Sequence, residues 1–289
     1  MSNAHSVYFD ADSLPEPQNQ YVCWIDLMGI QSKLLQSMPQ CANALYKFHQ
    51  TLCEVDVDGD LDRYAIMDGA YVMSDRRDTM ESFLDKVFRK LAELVTGELV
   101  SDDETEADSE GITIQGIHHA ILPRAGLAFG PMVHGKDFSE EVLEGLDDHR
   151  EHMEQIPMGM PMVQANQSER HAPPFGTYVD ESARAFSPLK QVALRDGEGV
   201  PSDLAVDDSH HVERLRYVWH DWHRDIPSES DLLLQLTQIL EEYFRYALKN
   251  HHRIPAYSPE DILRHAQQSA QYFEEIDYEG ISKSGRKWS

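Results

Sequence analysis

The sequence predicts an α+β domain with a ferredoxin-like core and a C-terminal helical extension. Three observations carry this expectation. Apolar runs of strand length alternate with helically spaced segments in the order strand, helix, hairpin, helix, strands, helix, strand. An Asp68-Gly69 pair sits between two β runs over residues 62–74, the signature of a tight hairpin. The 289 residues are enough for one large core with a sizeable appendage.

Taken in order, residues 1–20 read as a flexible leader containing Pro and Asn. Residues 21–27 are uninterrupted apolar except for Asp26 and read as a buried strand. Gly29 then opens a turn into a helix over 31–53, with Leu34, Leu35, Met38, Ala42, Leu45, Phe48 and Leu52 at helical spacing. The turn at 56–60 is too short for an EF-hand loop and lacks its terminal bidentate Glu. The hairpin over 62–74 and a helix over 77–97 follow. Residues 101–111 are acidic and poor in hydrophobes, an expected flexible loop. Strands are expected over 112–122 and 124–133, helices over 138–154 and 162–171, and a short strand over 176–180 leading into a helical turn at 181–186. Beyond a polar loop at 195–210, a strand near 213–219 and helices over 229–250 and 258–275 complete the chain. The main domain is accordingly placed at 21–190 and the extension at 191–289.

Composition excludes several classes. The chain carries 51 acidic and 25 basic residues, a net charge of −26. Such a surface repels nucleic acid and anionic membranes. No stretch is long and apolar enough for a membrane span. Cys23, Cys41 and Cys53 are an odd, clustered set with neither disulfide-framework nor zinc spacing, which fits a reducing, cytoplasmic setting. The fifteen histidines include adjacent pairs, but no metal-ligand spacing joins them.

The chemistry-bearing feature is a pair of apolar runs, each interrupted by one aspartate: Asp26 within residues 21–29 and Asp68 within 64–73. Burying a lone carboxylate costs several kcal/mol unless something neutralises it. Two such strands side by side would bring the carboxylates together, and a shared divalent cation, Mg²⁺ or Mn²⁺, is the simplest reason to keep them there. Taken singly, Asp26 also reads as a helix N-cap and Asp68 as an ordinary hairpin residue.

Four segments in order resemble the catalytic domain of class III nucleotidyl cyclases over about residues 20–190. They are Asp26-Leu27-Met28-Gly29, the Asp68 hairpin, Arg124-Ala125-Gly126-Leu127-Ala128-Phe129-Gly130, and Gly159 followed by Ala165 and Glu169. Ala165-x-x-x-Glu169-x-x-Ala172, Pro174 and Thr177-Tyr178-Val179-Asp180 are similar, more narrowly, to the pyrimidine cyclases of bacterial Pycsar anti-phage defence. The resemblance implies a homodimer that converts UTP to 3′,5′-cyclic UMP and pyrophosphate, a messenger for a downstream effector that senses cyclic UMP. Cytidylate cyclase, purine cyclase and an inactive regulatory module are the alternatives. It further implies two metal ions per active site on Asp26, Asp68 and the Leu27 carbonyl. Backbone N–H groups of Leu27, Met28, Gly29 and Ile30 would face the phosphates, and Tyr64, Ile156 and Gly159 would line the base site.

The chain also departs from the purine cyclases. Val163 and Gln167 stand where those enzymes place Asn and Arg on the helix after the glycine, and Tyr64 and Ile156 stand where they place the adenine-reading Lys and Asp. Arg124, Lys136 and Arg170 are the candidates for a transition-state cation, with Arg124 placed among the catalytic residues. Tyr64 is expected on the same strand face as Asp68, four residues apart, where its hydroxyl would donate to a uracil carbonyl or accept from the cytosine amino group.

Overall fold

A computed structural model describes residues 15–30, 34, 37–100, 116–117, 120–139, 143, 149–184, 218–253 and 257–285. Among them, a seven-stranded mixed sheet and eight α-helices make an α+β fold. The expected loops at 101–111 and 195–210 lie outside the described residues.

The central strand β1 runs Gln18–Leu27, so the last residues of the expected leader already pair in the sheet. Helix α1 spans Met38–Glu54 and not 31–53. Ser37 is extended and Pro39 occupies the first turn, where its missing N–H costs nothing; a helix running through Pro39 would lose a bond and clash. Residues 31–33, 35 and 36 lie outside the described set. Strands β2, Asp62–Ile66, and β3, Gly69–Ser74, form the expected hairpin. Helix α2, Arg77–Leu99, buries a continuous stripe of Phe83, Leu84, Val87, Phe88, Leu91 and Val95.

Strand β4 is one long element, Pro123–His134. The separate strand expected at 112–122 is not formed at the described residues 116–117 and 120–122. Proline has no N–H for the ladder and so suits the first position of a strand. The acidic helix expected at 138–154 is a short α3, Arg150–Glu154, at its described end. Strand β5, Pro157–Gly159, leads directly into α4, Met160–Glu169. Strand β6, Thr177–Val179, and a single turn α5, Glu181–Arg184, come next. In the extension, the strand reduces to β7, Trp219–His220, with 213–217 outside the described residues. Helices α6, Asp231–Asn250, and α7, Pro259–Tyr272, match expectation, and α8, Tyr278–Gly285, was not foreseen. Ser230 and Ser258 cap α6 and α7 by accepting from backbone N–H groups three residues on.

The strands run in the order β2-β3-β1-β4-β6-β7, with β5 paired to the far end of β4. Strand β1 is antiparallel to both β3 and β4, whereas β4 and β6 are parallel. Alternation splits the sheet into two faces. Cys23, Ile25, Leu27, Ala70, Val72, Ala125 and Leu127 face the main core, which α1, α2 and the extension helices fill with Phe48, Phe83, Phe88, Leu236, Phe244 and Ile262. Val22, Trp24, Tyr71, Met73, Ala128 and Met132 form a smaller cluster with Ala165 of α4 on the other face. The extension is thus part of the principal core. Two indoles tie it down: Trp219 donates to the His171 carbonyl at 3.0 Å and Trp222 to the Phe175 carbonyl at 2.6 Å. No helix of the described residues is long and apolar enough to cross a membrane.

Candidate active site

Strand register brings the two aspartates together. Asp26 lies opposite Gly69 on β3 and opposite Arg124 on β4. Asp68 immediately precedes Gly69 in the hairpin turn, so pairing of β1 with β3 sets it beside Asp26. The turn needs Gly69: a Cβ there would sit 2.5 Å from the Trp24 indole and 2.7 Å from the Ile25 carbonyl. Met67 takes a left-handed conformation, φ 55°, and is 87% exposed at the tip. Because Asp68 lies in the turn and not on β2, strand alternation does not place it on one face with Tyr64, which corrects the expectation.

The electrostatics are those of a crowded acidic site. Burial, and then the charge of Asp68, push the Asp26 carboxyl up to about 6, against the pull of Arg124 and a hydrogen bond from the Leu27 backbone. Glu169, at the C-terminal end of α4, is pushed up to about 7 by burial, with Asp26 and Asp68 adding to the shift and Arg124 opposing it. Arg124 pairs through Nε with the Glu169 carboxylate and donates from Nη1 to His265 Nε2 on α7 at 3.3 Å. Burial and two neighbouring arginines lower His265 to about 3, so its imidazole is neutral. Two carboxyls, Asp26 and Glu169, therefore share one guanidinium, with Asp68 adding negative charge to both. Gly126 permits this geometry, since a Cβ there would overlap the Ala165 carbonyl and lie 2.6 Å from the Glu169 nitrogen.

The turn after Asp26 departs in part from the expected phosphate cradle. Leu27, Met28 and Ile30 are buried, and the Met28 N–H already donates to the Leu122 carbonyl at 3.0 Å. It is not available to a ligand. Gly29 is exposed with φ 76°, and the Tyr243 hydroxyl of α6 lies 3.3 Å from where its Cβ would be.

A second cluster lies on the same sheet face. Gly159 pairs with Met132, eight positions along β4 from Arg124, and Tyr64 lies opposite Tyr71, which pairs with Trp24, two residues before Asp26. A Cβ on Gly159 would meet the Pro131 carbonyl at 2.7 Å, so this glycine serves close strand packing. The Ile156 carbonyl accepts from Gly135 N–H at 2.9 Å. The Tyr64 hydroxyl lies 2.9 Å from Nδ1 of His134, whose Nε2 lies 2.9 Å from Gln20 Oε1. Lys136 is held by Asp62 at 2.8 Å. Within one chain, the structure brings together Asp26, Asp68, Arg124 and the Leu27–Ile30 turn, and separately Tyr64, Ile156 and Gly159. Of the three candidate cations, Arg124 is the one beside Asp26.

Among the described residues, no group of three or more His, Cys, Asp or Glu side chains is arranged to hold a metal ion. Two carboxylates and a backbone carbonyl nevertheless fit a Mg²⁺-type ion, which keeps waters and substrate phosphates as its other ligands. The mutual repulsion of Asp26 and Asp68 is the observation that fits a cation. Glu169 was visible in the sequence only as a motif position, and His265, Tyr243, His134 and Gln20 carried no signal at all. No protein-family model matches the chain, and no curated protein is significantly similar to it in sequence.

Proposed function

We propose that the protein is a pyrimidine nucleotide cyclase that converts UTP to 3′,5′-cyclic UMP and pyrophosphate. The observation that carries this reading is the juxtaposition of Asp26 and Asp68 by the β1–β3 register, with Asp26 raised to about 6 beside Asp68. Two Mg²⁺ or Mn²⁺ ions on Asp26, Asp68 and the Leu27 carbonyl would acidify the ribose 3′-hydroxyl and neutralise triphosphate charge. Arg124 supplies a fixed cation beside them, oriented by Glu169 and His265. The exposed Gly29 marks where phosphate meets backbone. The order β2-β3-β1-β4, antiparallel and connected strand–helix–hairpin–helix–strand, supports a ferredoxin-like cyclase core.

The separation of the two clusters supports a homodimer. A head-to-tail two-fold pairing lays the Asp26 end of one copy against the Tyr64, Ile156 and Gly159 end of the other, making two composite sites. Exposed apolar side chains border both ends: Ile66 and Met67 at one, Met158, Met160 and Val163 at the other. By the family resemblance, the cyclic UMP would activate an effector in anti-phage defence.

The test is incubation of the purified chain with each of the four NTPs and Mn²⁺. Cyclic UMP is expected as the main product, falling by orders of magnitude in Asp26→Asn and Asp68→Asn proteins that still fold. Cyclic CMP would make it a cytidylate cyclase and cyclic AMP or GMP a purine enzyme. No product from any NTP would make it a regulatory module. Mixing Asp68→Asn with a Gly159→Val chain should restore activity through hybrid dimers, and a fully active monomer in light scattering would remove the composite site.

A further inference from the structure

We infer that Gln20 and His134 determine base selectivity by committing the Tyr64 hydroxyl proton inward, so that Tyr64 offers a ligand only an acceptor. This rests on the pyrimidine cyclase reading and concerns the same site. Three side chains from three strands form one continuous chain of hydrogen bonds. Gln20 of β1 and His134 at the end of β4 are buried, at 8% and 2% exposure, while Tyr64 of β2 is only partly buried. A neutral imidazole has one donor and one acceptor nitrogen. Burial is the largest influence on His134 and lowers its pKa, with Lys136 acting in the same direction and Asp62 and Asp137 opposing; Asp62 is itself paired with the Lys136 ammonium. His134 is therefore neutral and its tautomer follows from its partners.

Gln20 Oε1 can only accept, so the His134 proton sits on Nε2. Nδ1 is then the acceptor, and the Tyr64 O–H must donate to it. What remains on the partly exposed side of Tyr64 is a pair of oxygen lone pairs. Donation to a uracil carbonyl, one of two options left open by the sequence, is closed by this polarity. The base edge that fits is an N–H: the imide N3–H of a uracil nucleotide or the exocyclic amino group of a cytosine nucleotide. Under the uridylate reading it is N3–H, and a base methylated there cannot make the bond.

The tautomer is read without any activity measurement, by ¹⁵N NMR of the full chain labelled at histidine, with His134 assigned by loss of its signals in His134→Gln. The expected result is a neutral Nε2–H imidazole between pH 6 and 8. An Nδ1–H tautomer or an imidazolium at pH 7 overturns the inference. The second measurement is turnover of UTP, CTP and 3-methyl-UTP with Mn²⁺. Wild type should prefer UTP to 3-methyl-UTP at least tenfold in kcat/KM, and Gln20→Leu, which removes the acceptor that fixes the Nε2–H tautomer, should weaken that preference. His134→Phe frees the Tyr64 proton for donation to a uracil carbonyl and should bring UTP and 3-methyl-UTP within a few-fold of each other. Equal use of UTP and 3-methyl-UTP by wild type overturns the N3–H assignment. Turnover of no pyrimidine nucleotide, with the tautomer as expected, instead removes the cyclase reading and the base assignment with it.

Discussion

Replacing Asp26 by Asn should abolish activity and yet stabilise the metal-free protein at alkaline pH. In the folded chain the Asp26 carboxyl holds its proton up to about 6, against an ordinary value of 3.8, chiefly because it is buried and faces Asp68. Across that interval the folded state binds more protons than the unfolded one, so stability falls as pH rises from about 4 to 6 and stays reduced above it. Holding the proton up to about 6 in place of 3.8 corresponds to about 3 kcal/mol. Asp26 is partly exposed, and solvent screening reduces this to about 1–2 kcal/mol. Asn keeps the shape and can still accept from the Leu27 N–H, but carries no charge. Urea unfolding in EDTA at pH 8 should therefore show Asp26→Asn more stable than wild type by about 1–2 kcal/mol, the gap closing near pH 4. Millimolar Mg²⁺ should raise wild-type stability at pH 8 and leave the variant unmoved. A variant less stable than wild type at pH 8 in EDTA would refute the reasoning, because Asp26 would then be a structural anchor and not a repelled ligand.

Other substitutions probe the support around the pair. Arg124→Ala leaves Asp26 and Glu169 without their shared cation, and loss of one partner from a buried pair costs about 3–5 kcal/mol. Urea midpoints at pH 8 check this, and the deficit should shrink towards pH 5 as the carboxylates protonate. Gly126→Ala drives a methyl into the backbone of α4 at Ala165, so an overpacking loss of about 1–3 kcal/mol is expected, together with altered near-UV dichroism from Trp24 beneath that helix. Trp219→Phe removes one of two bonds to the His171 carbonyl, which Gln268 Nε2 still donates to at 3.2 Å, and should cost only about 0.5–1.5 kcal/mol, measured by urea unfolding.

The parts of the fold that the sequence made legible are those written in local pattern. The apolar run of β1, the Asp68-Gly69 hairpin and the apolar stripe of α2 each appear where short-range rules put them. The helix expected over 31–53 is interrupted at Ser37, with Ile30 and Leu34 helical before the break, because apolar spacing continues across Pro39 and spacing alone does not register a broken backbone. At the described end of the strand expected at 112–122 a related reason applies: an apolar run signals burial, and Ala120, Ile121 and Leu122 are buried without joining the ladder. Asp26 and Asp68 were legible because a charged residue inside an apolar strand is costly and so demands a reason. Their surroundings were not, since what fixes Arg124 is Glu169 at a helix end and His265 from the extension, and neither residue violates any local rule. Long-range polar partners leave no periodicity behind them; they become visible only when burial shows which charges must be answered. The extension gains its meaning in the same way. Through Tyr243 against Gly29 and His265 against Arg124, α6 and α7 reach the same end of β1 that carries Asp26. Loss of their packing would therefore loosen the site before it unfolded the sheet.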